Sequence, residues 1–278
     1  MARMPLGVMI GVGKIVAGAL PRLQEAGFTT LQTSTPPAEY HTEPKLGELK
    51  QLLASTGFTA TSVAAVYAGE SYADIAAVQQ TVGLLPPATR AERVADTKRC
   101  ADFAHALGSR NVSSHIGYIP EDRGGAEYEA LVKTLQEVCD YLHGHFQSFN
   151  LETGQETAVL LREFIADVGR PNLGVNFDPA NMILYGTGDP IEALGVLAPW
   201  VRSVHCKDGD WPTAPGQLGT ERRLGDGQVG IVRFLAKLKE IGYDGPLTVE
   251  REVPGDQQIE DFVYAAGLLN ATKAKLGL

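Results

Sequence analysis

Four apolar runs in the second half of the chain each end in a residue able to bind a cation: Glu152 in NLETGQE, Asp178 in VNFDPAN, His205 in SVHCKD, and Glu250 or Glu252 in TVERE. Three carboxylates and one imidazole suit a hard or borderline divalent ion such as Mn²⁺, Mg²⁺, Co²⁺ or Zn²⁺, with positions left for substrate oxygens. Taken singly, most have an ordinary explanation. A histidine in an apolar strand is commonly a hydrogen-bonded core residue, and an Asp directly before Pro179 is a natural helix N-cap. Glu152 is harder to dismiss, because a carboxylate ending a strand as apolar as FNL needs a partner or carries a large desolvation cost. Jointly the ordinary explanations fail, since the four groups stand at the same level of four consecutive strands.

The elements that must position them alternate along the whole chain. Short β-branched runs predict strands at 6–12, 29–35, 60–68, 111–117, 149–154, 173–178, 201–208 and 246–252. Helical periodicity falls between them at 15–26, 44–56, 90–107, 126–143, 157–168, 189–198, 229–241 and 257–276. Strand and helix alternating eight times predicts an α/β fold, a parallel sheet closed into a (β/α)₈ TIM barrel that takes in residues 1–278 as one domain. An open doubly wound sheet would stop near five or six strands. Two connections, 69–89 and 209–228, are too long for simple turns. Both follow strands, so in a barrel they lie on the C-terminal face where active sites are built.

Composition narrows the function classes. With 44% hydrophobic and 21% charged residues in 278, there is ample material for a core. The net charge of -9 is spread along the chain, which argues against a nucleic-acid backbone or an anionic membrane as the main partner. Three scattered cysteines suggest neither a disulfide framework nor a cysteine zinc site and fit a reducing, cytoplasmic setting. Lys14 interrupts the N-terminal apolar run, which reads as a first strand and not as a signal peptide.

The order of ETGQE, NFDPAN, VHCKD, the glycine-rich LGDGQV and the closing ERE resembles the sugar phosphate isomerase/epimerase family, the xylose-isomerase-like barrels. The match covers nearly the whole chain, with its distinguishing motifs from residue 150 onward. This resemblance implies one divalent ion, Mn²⁺ foremost, held by Glu152, Asp178, His205 and Glu250; Glu250 is preferred to Glu252 because it sits deeper in the strand. It also implies proton transfer through an enediolate of an α-hydroxy carbonyl sugar, with Glu152 and Glu250 shuttling the proton. Two positions depart from the family's epimerases: Asn181 stands where they often carry a His, and Trp211 where they tend to place an Arg. Known sugar specificities therefore do not carry over. The missing histidine also separates this chain from endonuclease IV, a relative with a histidine-rich three-zinc site, and so from DNA repair.

The substrate candidates are softer. His115 in SSHIG is either a substrate contact or a buried, hydrogen-bonded histidine. Lys207 shares a face with His205 and either meets a substrate oxygen or pairs with Asp208 or another acid. Gln155 and Glu156 lead into the next loop, where Glu156 can meet substrate, cap a helix or support the ligands. Glu70 is either a reach from the long third loop or a solvated charge. The string GDGQVG (225–230) follows a loop and so is no dinucleotide fingerprint, but it opens a helix where barrels bind phosphate, with Arg222 and Arg223 nearby. The expectation is a metal-dependent isomerase or epimerase of a small carbohydrate, a keto-sugar with or without a phosphate, in a chain free to form homo-oligomers. The alternatives are a lyase or dehydratase on a keto-sugar, keto-inositol or 3-keto-glycoside, and a non-catalytic carbohydrate-binding subunit.

Overall fold

The computed structural model describes residues 4–278. Eight parallel strands form a closed barrel: β1 (Leu6–Met9), β2 (Phe28–Ser34), β3 (Thr59–Ala64), β4 (Asn111–Ser114), β5 (Ser148–Glu152), β6 (Leu173–Phe177), β7 (Val201–Cys206) and β10 (Leu247–Val249). Closure runs through the register Leu6↔Leu247, Gly7↔Thr248 and Val8↔Val249. Two short strands, β8 (Asp208–Asp210) and β9 (Thr220–Arg222), form an antiparallel hairpin beside it.

Around the strands lie α1 (Val12–Val16), α2 (Leu20–Glu25), α3 (Lys45–Thr56), α4 (Ile75–Thr81), α5 (Arg90–Ala106) and α6 (Ala126–His143). The second half adds α7 (Ala158–Val168), α8 (Pro179–Tyr185), α9 (Pro190–Leu197), α10 (Ile231–Glu240) and α11 (Gln257–Leu276). In α6, Leu131, Leu135, Val138 and Leu142 recur at three- and four-residue spacing and are fully buried, the stripe that seats a helix on a sheet.

The structure shows the eight-stranded barrel and corrects its details. The helix expected over 15–26 is two helices, because Gly18 takes a left-handed φ of 93° and Pro21 stands in the first turn of α2. The strands end two to four residues earlier than expected in several cases, because their last polar residues leave the ladder to build the mouth. The Asp178 N–H, for example, donates to Thr153 Oγ1 at 2.8 Å instead of to a neighbouring strand. The first long connection contains α4, and the second contains the β8–β9 hairpin.

The apolar core lies outside the barrel, between strands and helices. Val63, Val112, Phe149, Val175, Phe177 and Val204 are fully buried there, and Phe177 stacks on Phe234 of α10 at 6.1 Å. The bore is polar. Ser203 donates to Asn176 Oδ1 at 2.6 Å, and Gln32 of β2 reaches Thr248 of β10 at 3.4 Å although β1 stands between their strands. Alternation thus sends one side chain in two to an apolar jacket and the other to a hydrogen-bonded interior.

Candidate metal centre

Each expected ligand comes from the C-terminal end of its own strand. Glu152 closes β5, His205 is the last residue but one of β7, and Asp178 and Glu250 follow β6 and β10 directly. One donor atom from each of the four lies within 4.8 Å of all the others. His205 Nδ1 faces the three acids, 3.1 Å from Glu250 Oε2, 3.3 Å from Asp178 Oδ2 and 3.4 Å from Glu152 Oε1.

Asp178 satisfies both readings of its motif, one oxygen to each. Oδ1 accepts from the N–H groups of Ala180 and Asn181 at 2.8 and 2.9 Å and so caps α8, leaving Oδ2 directed at the cluster. Pro179 occupies the first helical turn, where its missing N–H costs nothing. A Glu250 side chain only 11% exposed joins the cluster, while Glu252, 67% exposed, stands at the rim.

The electrostatics are compatible with a bound cation. Burial raises Asp178 above the ordinary carboxylate value despite the opposing charges of Lys207 and His205. Burial also disfavours ionised Glu250 and Glu152, but His205 with Lys207 in the first case, and His115 with His205 in the second, hold both below the usual range. Burial would depress His205, yet Glu250 and Glu152 drive it well above the usual imidazole value. Three buried carboxylates thus recruit whatever positive charge is available. A divalent ion fits this donor set: three anionic oxygens and one imidazole nitrogen face a common, nearly water-free point.

Around the ligands the structure gathers several expected residues. Asn181 donates to Glu152 Oε1 at 3.3 Å and accepts from Lys207 Nζ at 3.4 Å. Lys207 pairs with Glu250 at 3.1 Å and Glu252 at 3.4 Å, not with Asp208, and is buried behind them. His115 Nε2 lies 3.4 Å from Glu152 Oε1 and its Nδ1 lies 3.3 Å from Gln155 Nε2, so this histidine belongs to the cluster's wall. Above them opens a cavity of about 520 Å³ whose walls include His115, Glu152, Asn181, Glu250, Tyr72 and Tyr185.

Other expectations are corrected. Arg222 does not line the cavity; it pairs with Asp210 at 2.7 Å on the open face of the hairpin. Alternation along β9 turns Glu221 inward instead. Glu156 is also absent from the walls; it is buried behind the loop after β5, and burial pushes its carboxyl up to about 8. Glu70 reaches the cavity wall but spends its carboxylate on its own connection, accepting from Tyr67 N at 3.2 Å and Gly83 N at 2.8 Å. The glycine-rich turn does cradle an anion, and the anion is Asp208, which accepts from the N–H groups of Gly209, Gly225 and Val229 at 2.9, 2.9 and 3.0 Å. Gly227 permits that approach, since a Cβ there would lie 2.4 Å from Asp208 Oδ1. The chain's own carboxylate fills the place expected for phosphate.

Sequence reasoning missed Gln32 and Asn176, which both touch His205 Nε2, at 3.1 and 3.2 Å. Period two would have found Asn176, two residues before Asp178 on the same strand face. Gln32 is a single amide within TTLQTST and shows its role only across the bore.

A closed parallel barrel with a buried Glu, Asp, His, Glu cluster at its C-terminal mouth defines the class: a barrel whose mouth carries a donor set compatible with a divalent metal. Residues 20–271 match the xylose isomerase-like TIM barrel family, and the chain belongs to that family. A xylose isomerase domain protein from Planctomyces limnophilus has a solved structure 43% identical to this chain, with a TM-score of 0.93 and 99% of each chain covered. An uncharacterized protein of Methanocaldococcus jannaschii is 29% identical over 201 residues, 66% of this chain and 65% of that protein, so the match leaves about a third of the curated relative unspanned. The solved structure of a D-tagatose 3-epimerase-like protein shares the fold at 21% identity, with a TM-score of 0.76 and 99% and 98% of the two chains covered. No helix among the described residues is long and apolar enough to cross a membrane.

Proposed function

We propose that this protein is a divalent-metal-dependent isomerase or epimerase of a neutral keto-sugar, working by proton transfer. The carrying observation is that Glu152 and Glu250 both direct carboxylates at His205 Nδ1 from strands separated by β6 and β7, so the two acids flank one point. Family membership and an epimerase-like neighbour support the sugar chemistry.

Glu152, Asp178, His205 and Glu250 would hold the ion, Mn²⁺ first and Mg²⁺, Co²⁺ or Zn²⁺ as substitutes. When bound, such an ion supplies Lewis-acid polarisation of adjacent carbonyl and hydroxyl oxygens. Glu152 and Glu250 take the carbon-bound proton on one side and return it on the other, a contribution of typically ~10²–10⁴-fold. Lys207 and Asn181 orient the two acids, Lys207 from behind Glu250 and Asn181 by its amide to Glu152. His115 stands at the wall beside Glu152, where Nε2 can donate to a substrate oxygen. Tyr72, whose ring lies tilted against that of His115 at 6.0 Å, offers an aromatic face to the apolar side of a sugar ring.

Charge argues for a neutral substrate. Among the described residues no Arg or Lys lines the cavity, whereas Glu70, Glu221 and Glu252 stand on its outer wall. A phosphate or carboxylate there meets these acids, of which Glu252 already engages Lys207 at 3.4 Å and Glu221 engages Arg251 at 2.9 Å, with no cationic side chain among the described residues of the wall to receive it.

The test pairs elemental analysis with isotope exchange. Purified protein should carry about one divalent ion per chain, and a Glu152→Gln, His205→Asn double variant should carry none. In deuterated solvent, neutral ketoses should gain deuterium beside the carbonyl, and their phosphates should not. A protein that takes up no metal even from Mn²⁺ or Zn²⁺ solutions sinks the reading, and deuterium entry accompanied by loss of water would shift it to elimination.

A further inference from the structure

His205 Nε2, the ring nitrogen turned away from the cluster, has two neighbours of opposite character. Gln32 Oε1, an acceptor, lies 3.1 Å away, and Asn176 Nδ2, a donor, lies 3.2 Å away. One nitrogen cannot serve both. If Nε2 carries the hydrogen it donates to Gln32, and Nδ1 is the nitrogen whose lone pair a cation can take, in place of any hydrogen that the three carboxylates hold there. If Nε2 is bare it accepts from Asn176, and the ring hydrogen then sits on Nδ1, in the place a cation must take.

The surroundings favour the first arrangement. Asn176 has another use for its N–H groups, donating to Glu152 Oε2 at 3.3 Å, and Ser203 donates to its Oδ1 at 2.6 Å, so its amide orientation is fixed from both ends. Gln32 is anchored by donation from its own Nε2 to Thr248 Oγ1 at 3.4 Å, which leaves Oε1 facing the ring. Both amides are buried, Gln32 with 1% and Asn176 with 0% exposure, so no bulk water competes for these bonds.

We propose that Gln32 is the positioning residue that holds His205 in the Nε2–H form, leaving Nδ1 as the metal-binding atom. This rests on the metal-site reading above. Partners of this kind, bonded to the far nitrogen of a ligating histidine, orient the ring and raise metal affinity.

The full-length chain, labelled with ¹⁵N histidine and loaded with Zn²⁺, tests this by long-range proton–nitrogen correlation spectroscopy. The wild-type His205 ring should show a hydrogen on Nε2 and zinc on Nδ1. Gln32→Leu, which removes the acceptor, should bind Zn²⁺ about 10–100-fold more weakly in chelator competition and move the Nε2–H proton resonance upfield. Gln32→Glu, which keeps an acceptor at the same reach, should retain the hydrogen-bonded resonance and recover most of the affinity. A purely packing role for Gln32 would weaken both variants alike and overturn the proposal. So would zinc on Nε2 in the wild-type spectrum, which needs no variant to fold. A Gln32→Leu protein that keeps wild-type zinc affinity overturns this inference alone, whereas a wild-type protein that binds no Zn²⁺ overturns the metal-site reading and this inference with it.

Discussion

Several side chains here serve through only one of their atoms, and that division decides their role. Asp178 caps α8 with Oδ1 and faces the cluster with Oδ2, so the helix cap and the candidate ligand are a single group. Glu156 illustrates the opposite case, a carboxyl that burial pushes up to about 8, with no cation among the described residues to offset it. Its folded value lies above the unfolded one, so the folded state keeps a proton that the unfolded state has lost. The stability this proton confers is complete below about pH 4.5 and is lost as pH rises toward 8, at no more than ~1.4 kcal/mol per pH unit. Glu156→Gln, neutral throughout, is therefore expected to raise Tm near pH 8 while leaving it nearly unchanged near pH 5. Thermal scans at the two pH values check this, and an unchanged or lower Tm at the higher pH would refute it. The motif residues of this site are legible by eye because each ends an apolar run. Glu156 and Arg222 lie off the cavity wall, which the sequence does not reveal, because a loop residue's facing is set by backbone turns that no spacing rule reports.

At the scale of elements, the long connection after β3 is held from below by one buried arginine. Arg93, on α5, donates from Nη1 to the carbonyls of Thr81 and Gly83 at 2.7 Å each and from Nη2 to Ala68 at 3.2 Å, beneath the Glu70 carboxylate that ties Tyr67 to Gly83. This matters to the site because the connection carries Tyr72 to the cavity wall. Arg93→Met should cost roughly 2–5 kcal/mol, since it strands three carbonyls with little access to water. The loss should appear as faster protease cleavage within 69–89, with metal content unchanged because all four candidate ligands come from other strands. Resistance equal to wild type would show that the remaining contacts, those of Glu70 and Arg90 among them, hold the connection without Arg93. The eight strands and their helices follow from alternation and helical periodicity. The break between α1 and α2, the helix α4 and the β8–β9 hairpin do not, because each is a short element stabilised by contacts with the rest of the fold.

For the whole molecule, the polar bore inside an apolar jacket makes the barrel a scaffold whose interior is matched to the site above it. The candidate ligands come from β5 and β7 and from the residues directly after β6 and β10, a run of adjacent strands covering half the circumference. An ion bound there is absent from the unfolded chain, so binding transfers directly to stability. At about a hundredfold excess over Kd the gain is ~2.7 kcal/mol, and at roughly 2–4 °C per kcal/mol for a chain of about this size the expected rise in Tm is about 5–10 °C. Melting curves with Mn²⁺ and with a chelator check this, using Glu152→Gln as the control that should lose the difference. Equal curves for wild type and control would mean that the cluster does not hold the ion.

By itself the sequence determined the alternation that closes the barrel and the four polar strand ends, since both depend on local periodicity and on the cost of burying a carboxylate without a partner. Only the tertiary structure decided which acid of ERE joins the cluster, which way Arg222 and Glu221 face, and that Asp208 occupies the glycine-rich turn. It alone brought Gln32 to His205, residues 173 positions apart that meet across the bore. The reason is physical: a side chain's element is set by its neighbours in sequence, but its partners are set by the curvature of the sheet and the path of the loops.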